Sequence, residues 1–509
     1  MDPRDGRSAG AAAPPSLVHE LLDDTATRTP DAVAVVDAVG ELTYRELARL
    51  SVGFAHWLRG RGVAAGERLV TQLPSDRRLV AMFYGASRAG VVFVPLNPAM
   101  KEFHLVSVFA NAQPALVLAD APSVGRLGRI SPAPVHDLAE IWDEVRSLAD
   151  RPAEPVEVRP DDVAVLIYTS GSTAAPKAVI GPHAQVVFAC RAIQQVLGYR
   201  PDDVVFCRFP LSWDYGLYKV LLCCLGGSRI VLAGEESDLV LLSRMRETGA
   251  TVVPIVPSLA TMITTMAPRH RELPRVRMFT NTGAALPATT IAALREFFPG
   301  TRVVRQFGQT ECKRVSIMPP ERDGELPLSV GLPLPGTTVH ILDDDGAPVP
   351  TGDVGEIVVS GPHVMPGYWR MPELSARTFR PDPDGAGPRL HTGDYGCLDA
   401  DGYLYFEGRR DDMFKRKGIR MGTLEIEAAA MDILGVRAAA VLPPDGDRDL
   451  VIFVESDDLA PHVVLKELAQ RLELAKVPAI CRVLPQLPMT LHGKNARDAL
   501  TRLLDGEPA

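Results

Sequence analysis

The chain has 509 residues, a formal net charge of −9, seven cysteines, 46 % apolar and 23 % charged residues. Its length implies two or more domains, its acidic balance excludes a general affinity for nucleic acid, and no apolar run approaches the roughly 18 residues of a membrane span. An odd number of cysteines without a CxxC pair argues against a disulfide scaffold or zinc site and for reduced thiols in a cytoplasm; Cys223 and Cys224 fall in an apolar run that reads as core.

Residues 1–16, MDPRDGRSAGAAAPPS, have no apolar stretch of the secretory kind and read as a disordered leader. AVAVVD (32–37) then reads as a strand and LTYRELARLSVGFAHWLRGRG (42–62) as an amphipathic helix closed by glycine. RLVTQLP, a helix over 76–90, VVFVPLNP and PALVLAD continue the alternation, the rhythm of a largely parallel sheet covered by helices. PAEPVEVRP (152–160) is a connector. A second alternating block runs to about 318: VVFCRFP, a helix near 215–226, SRIVLAG, TVVPIVP, RMFTNTG, a helix over 287–298 and TRVVRQFG. From 325 short strands punctuated by glycine and proline predict a β-rich subdomain. From about 411 the pattern is mixed: a charged hairpin, the helix TLEIEAAAMDIL, strands AAAVLP and DLVIFVE, a helix over 463–474 and a lysine-bearing tail.

The stretch around which the chain is organised is YTSGSTAAPK (168–177). It follows the buried-strand run VAVLI, and phosphate sites in α/β proteins lie at such strand ends. Thr169, Ser170, Ser172 and Thr173 offer hydroxyl donors, Gly171 allows close backbone approach, and Lys177 adds a point charge. A Walker loop is excluded, because Lys177 follows Pro176 and precedes Ala178 instead of Ser or Thr. Four further islands bear on the same chemistry. RQFGQTE (305–311) places Glu311 after a strand, and a carboxylate near a triphosphate usually holds Mg²⁺. HTGD (391–394) offers Asp394, a carboxylate of the kind that accepts from a ribose diol. GRRDDMFKRKGIRMG (408–422) is a basic hairpin, and PMTLHGK ends in Lys494.

In order and content these islands resemble the adenylate-forming superfamily: acyl-CoA synthetases, peptide-synthetase adenylation domains and luciferase-like enzymes. The resemblance runs from about 17 to 500. It implies an α/β fold: a large domain, 17–410, of helix-covered, mostly parallel sheets with a β-rich subdomain at about 325–410, and a small mobile α+β domain, 411–509, hinged at Asp411. It implies ATP and Mg²⁺ as cofactors. Thr169, Ser170, Gly171, Ser172, Thr173 and Lys177 would bind the phosphates, with Thr310 on the AMP phosphate and Glu311 on Mg²⁺. Gly283, Ala284, Ala285, Phe307 and Gly308 would flank the nucleotide, Asp394 would take the ribose hydroxyls and Arg409 the ribose or phosphate. Lys494 would bridge the substrate carboxylate and the α-phosphate. The usual loop reads GSTGxPKG; Ala174 and Ala178 depart from it and restrict the backbone.

The resemblance also locates the acid pocket. Amino-acid-activating members carry an aspartate where this chain has Asp214, in PLSWDYGLYKVLL (210–222). Tyr215, Tyr218, Pro254, Thr280, Thr282, Gln306, Arg314 and Val315 would complete the wall. Asp214 would pair with a substrate amine, or else cap the helix beginning near Tyr215. Arg314 would be a pocket cation or face solvent. The implied reaction is ATP-dependent activation of a carboxylic acid, expected to be an amino acid, followed by transfer to the phosphopantetheine thiol of a separate carrier protein. The alternative is an acyl-CoA synthetase for a small non-amino acid, with free CoA as acceptor. No nucleic acid or membrane partner is expected.

Overall fold

The computed structural model describes residues 15–154, 156–169, 176–234, 238–383, 385, 387–409, 413–416, 419–445, 448–472, 474, 476–488 and 497–504. Ser170, Gly171, Ser172, Thr173, Ala174, the expected hinge Asp411, the basic residue Lys494 and the leader up to residue 14 lie outside the described residues.

Two helix-covered sheets form the bulk of the chain. The first has six strands in the order Val135–Asp137, Leu116–Ala119, Arg68–Gln72, Val92–Leu96, Val163–Thr169 and Lys177–Pro182, all parallel except the last pair. The second begins at Glu41–Thr43 and Val33–Val36. It continues in parallel through Arg229–Leu232, Val204–Cys207, Val252–Ile255, Met278–Asn281 and Arg302–Phe307. The central strands are buried along their whole length, hence their unbroken apolar sequence.

Between the sheets, helices including Tyr44–Gly60, Arg77–Arg88, His183–Leu197 and Asp214–Gly226 contribute to one continuous core, with Trp57, Phe54, Phe83 and Phe93 at its centre. Local chemistry sets where these helices start. Thr43 and Glu46 form a reciprocal capping box, with Thr43 Oγ1 accepting from the Glu46 amide at 3.2 Å and Glu46 Oε2 from the Thr43 amide at 2.8 Å. Asp76 caps the amides of Arg78 and Leu79.

The β-rich segment is hydrogen-bonded into the second sheet. Ser316–Ile317 pairs antiparallel with Arg302–Phe307, and Ser329–Pro333, Leu404–Arg409, Pro388–Leu398, Gly355–Ser360 and Thr338–Leu342 extend it. The C-terminal region has its own three-stranded sheet, Ala438–Leu442, Val451–Glu455 and Ile480–Leu484. It buries separate apolar clusters around Ile452 and Phe453. Among the described residues no helix is long and apolar enough to cross a membrane.

Candidate active site

The carboxyl ends of the second sheet's parallel strands converge where ligands of open α/β sheets bind. Val204–Cys207 leads to the turn before Asp214–Gly226, Met278–Asn281 leads to Thr282 and Gly283, and Arg302–Phe307 leads to the loop 308–314. The Asp214 helix starts tight against the preceding turn. A Cβ at Gly216 would lie 2.3 Å from the Pro210 carbonyl oxygen, so only glycine fits.

Trp213 is the helix N-cap, and no side chain caps it. Asp214 is therefore not the cap that one reading of the sequence allowed. Its Oδ2 accepts from Lys313 Nζ at 3.1 Å. Lys313 is fully enclosed, with its ammonium 4.6 Å from the Tyr218 ring centroid and 5.4 Å from that of Tyr215. Burial lowers its pKa to about 8, against the pull of Asp214.

Arg314 is also buried, settling its position inside the protein. Its Nη1 donates to Thr282 Oγ1 at 2.8 Å, and its guanidinium lies 5.5 Å from the Tyr215 centroid. Tyr215 in turn donates to the Thr280 carbonyl at 2.6 Å. Val315 and Gln306 are buried, and neither amide atom of Gln306 is hydrogen-bonded among the described residues.

Loop 308–314 aims these cations inward through a strained backbone. Lys313 adopts φ +63° at the centre of a three-residue turn closed by the Arg314 amide on the Cys312 carbonyl at 2.7 Å. A left-handed lysine costs on the order of 1 kcal/mol, and such strain concentrates at functional sites. The loop is pinched shut by the Val315 amide on the Phe307 carbonyl at 2.9 Å. A Cβ at Gly308 would come 2.7 Å from Arg314 Cα.

The same loop delivers Glu311 to Lys177. Lys177 Nζ donates to Glu311 Oε1 at 2.9 Å and to Tyr368 OH at 2.8 Å, and Tyr368 OH donates to the same Glu311 oxygen at 2.7 Å. Thr169 and Lys177 are paired antiparallel at the end of the last two strands of the first sheet. Ala178 lies inside the second of these strands, fully buried, where alanine is no constraint on the backbone.

Tyr368 arrives from a segment that lies along the strand: Ile180 donates to the Gly367 carbonyl at 3.1 Å and Trp369 to the Ala178 carbonyl at 2.8 Å. Burial and the adjoining Glu311 carboxylate push its phenol well above the usual range, so it stays a donor. Glu311 is a buried carboxylate with one oxygen committed to Lys177 and Tyr368. It could anchor a Mg²⁺ whose other ligands come from phosphate and water. Among the described residues no three His, Cys, Asp or Glu side chains gather into a metal cage.

Asp394, buried in the strand Pro388–Leu398, meets Arg409 Nε of the neighbouring strand at 3.3 Å, and Gln309 Nε2 reaches it at 3.5 Å. Phe307 stacks on Phe406 with centroids 4.9 Å apart. Gly283 (φ +88°), Ala284 and Ala285 form an exposed turn, tied by Asn281 Nδ2 to the Ala284 carbonyl at 2.8 Å. Thr310 and Gly308 sit half-buried between these groups in sequence.

The model of the family described as AMP-binding enzyme matches residues 22–369. The chain belongs to the AMP-binding enzyme family. It is an adenylate-forming enzyme, an AMP-forming ligase that uses ATP. AMB antimetabolite synthetase AmbB of Pseudomonas aeruginosa is 34 % identical, aligned over 97 % of this chain and 40 % of AmbB. The chain spans less than half the length of AmbB, tyrocidine synthase 3 and phosphinothricin tripeptide synthetase PhsC. The crystal structure of VinN superposes with TM-score 0.74 at 57 % identity, over 77 % of this chain and 98 % of VinN; VinN has also been solved with L-aspartate and with 3-methylaspartate. ATP-bound MatB from Rhodopseudomonas palustris superposes with TM-score 0.86 at 26 % identity, over 96 % of this chain and 98 % of MatB.

Two residues of this AMP-binding enzyme escaped the sequence reading. Lys313 lay in the stretch CKRVSIMPP, and only its neighbour Arg314 was singled out. A lysine beside an arginine reads as surface until its burial is known. Tyr368 had no signal, because its partners are 191 and 57 residues away in sequence.

Proposed function

We propose that this enzyme activates an aspartate-type amino acid, one carrying a second carboxylate, to its acyl-AMP and passes the acyl group to the phosphopantetheine thiol of a carrier protein. The observation that carries the reading is the pocket's charge: one carboxylate, Asp214, against the buried cations Lys313 and Arg314. Buried cations are costly without counter-charge. A substrate ammonium can share Asp214 with Lys313, while the second carboxylate meets Lys313 and Arg314. A neutral amino acid leaves Arg314 with only the Thr282 hydroxyl. The aspartate and 3-methylaspartate complexes of VinN support the same class, and the peptide-synthetase relatives support a carrier protein as acceptor.

In the proposed reaction an oxygen of the remaining carboxylate attacks the α-phosphorus of ATP, a P–O bond forms, and the bond to pyrophosphate breaks. Lys177 and Lys494 place positive charge where two anions must meet, and Thr310 donates to the phosphate; positioning and electrostatics do most of the work. Glu311 would hold Mg²⁺, which neutralises charge on the departing pyrophosphate. Asp394 and Arg409 would fix the ribose, and Phe307 with the turn 283–285 the adenine. The domain division at Asp411 belongs to this reading: 411–509 would turn to admit the carrier thiol.

ATP–pyrophosphate exchange tests the proposal with L-aspartate, 3-methylaspartate, L-alanine and succinate. The two amino diacids should exceed the others by roughly a hundredfold, the equivalent of ~3 kcal/mol for a charge left unpaired. Succinate as the best substrate would replace the proposal with a plain acyl-acid ligase, and L-alanine as the best would remove the second carboxylate from it.

A further inference from the structure

One cation in this region has no part in the reading above. Lys219 stands one helical turn beyond Tyr215, on the same face of Asp214–Gly226. It is 2 % exposed. Its Nζ donates to Tyr199 OH at 3.3 Å and lies 4.6 Å from the Tyr215 ring centroid and 5.7 Å from that of Tyr199. No carboxylate pairs with it among the described residues.

The groups around Lys219 are neutral or positive. Its own helix contributes Tyr215 and Cys223, the strand Val204–Cys207 contributes Cys207, and helix His183–Leu197 contributes Cys190. Burial raises the pKa of each of these thiols, Cys207 to about 11, and keeps the phenols of Tyr199 and Tyr215 protonated. Across Tyr215 lie Arg314 and Lys313, both repelling a charge on Lys219. Asp203, which acts on Tyr199, is already held by Arg277.

We propose that Lys219 is a proton-accepting positioning residue behind Tyr215: when an acid with two carboxylates fills the pocket, the Lys219 amine takes one proton from solvent and balances the added negative charge. The step is a protonation, R–NH₂ + H⁺ → R–NH₃⁺, and needs nothing beyond water and buffer. The proposal rests on the diacid reading. Burial, reinforced by Arg314 and Lys313, lowers the Lys219 pKa to about 7, so near neutrality the amine is partly unprotonated. An anion beyond Tyr215 opposes those two repulsions and raises it. A group whose pKa rises on binding strengthens binding below its free value and loses that gain as pH climbs to its bound value. Affinity for the diacid should therefore be greatest below about pH 7 and fall above it.

The test is titration calorimetry of L-aspartate into the full chain between pH 6 and pH 9, in phosphate and in Tris. Their different ionisation heats reveal proton uptake. Wild type should take up a fraction of a proton near pH 8, and its affinity should fall by up to about tenfold per pH unit above neutrality. Lys219→Met should lose the part of the uptake centred near pH 7 and keep only the part that Lys313, with its pKa near 8, contributes. Lys219→Arg keeps the charge without the titration, and should bind more tightly than Lys219→Met with the same residual profile. It decides the matter if the methionine variant does not fold. Wild-type binding without proton uptake would overturn the proposal while leaving the diacid reading intact. Uptake undiminished in both variants would move the proton to another group and overturn it as well. No binding of L-aspartate by wild type would overturn both.

Discussion

At the Lys177 end of the site, one lysine, one glutamate and one tyrosine close a triangle of hydrogen bonds, and Asp394 with Arg409 forms a second balanced pair. In the proposed acid pocket, one carboxylate among the described residues, Asp214, faces Lys313 and Arg314, with Lys219 behind Tyr215. The first end is electrically complete before any ligand arrives. The second carries excess positive charge that a ligand must satisfy. Balanced pairs suit a cofactor common to a whole family, since they hold their geometry whatever acid is present. An unbalanced, buried cluster suits discrimination, since only a ligand of the right charge removes the imbalance. Loop 308–314 serves both ends, and its strained turn at Lys313 is what lets Glu311 point one way and Lys313 with Arg314 another.

The comparison can be broken most severely at Lys494. Lys494→Ala should reduce acyl-AMP formation by roughly a thousandfold or more, the scale of losing a group that both positions and neutralises reacting anions. Transfer from supplied acyl-AMP to the thiol should survive. Single-turnover assays of the two half-reactions measure this, and equal loss of both would contradict separate adenylation and transfer states.

Asp214→Ala comes next. It strips the pocket of its carboxylate and leaves Lys313 buried and unpaired, a change on the order of 3 kcal/mol or about a hundredfold in kcat/KM for an amino diacid. Succinate should lose little, or gain. A uniform loss across both acids would make Asp214 structural and erase the contrast between the two ends.

The smallest effect is expected at Tyr368. Tyr368→Phe removes one donor from Glu311 and one acceptor from Lys177 while their ion pair remains, so about 1–2 kcal/mol, roughly tenfold, should be lost. The loss should fall on the KM for ATP and be the same for every acid. A change in acid preference would show that the two ends are not independent.

The elements were legible in the residues where local rules dominate. Apolar periodicity announced the helices over 42–62 and 76–90, apolar runs alternating with helices announced parallel strands, and YTSGST, RQFGQTE and HTGD lay in the order that the resemblance requires. Asp214 was singled out only through the resemblance, and the structure sets it in the first turn of Asp214–Gly226 against Lys313. Joining of the β-rich segment to the second sheet was not legible, because the pairing of Ser316–Ile317 with Arg302–Phe307 depends on a tight loop between them. Nor was the place of Ala178 inside a buried stretch of strand.

By itself, then, the order of residues determined the family and the βαβ framework, since propensity and motif spacing act over a few neighbours. Tertiary structure alone decided the charge of the pocket. Asp214 meets Lys313 across 99 residues, Lys177 meets Tyr368 across 191, and Arg314 points inward because a left-handed turn at Lys313 and the absence of a Cβ at Gly308 leave it room. Burial turned three ordinary basic side chains into a cluster that must be balanced, and burial is a property of the packed fold.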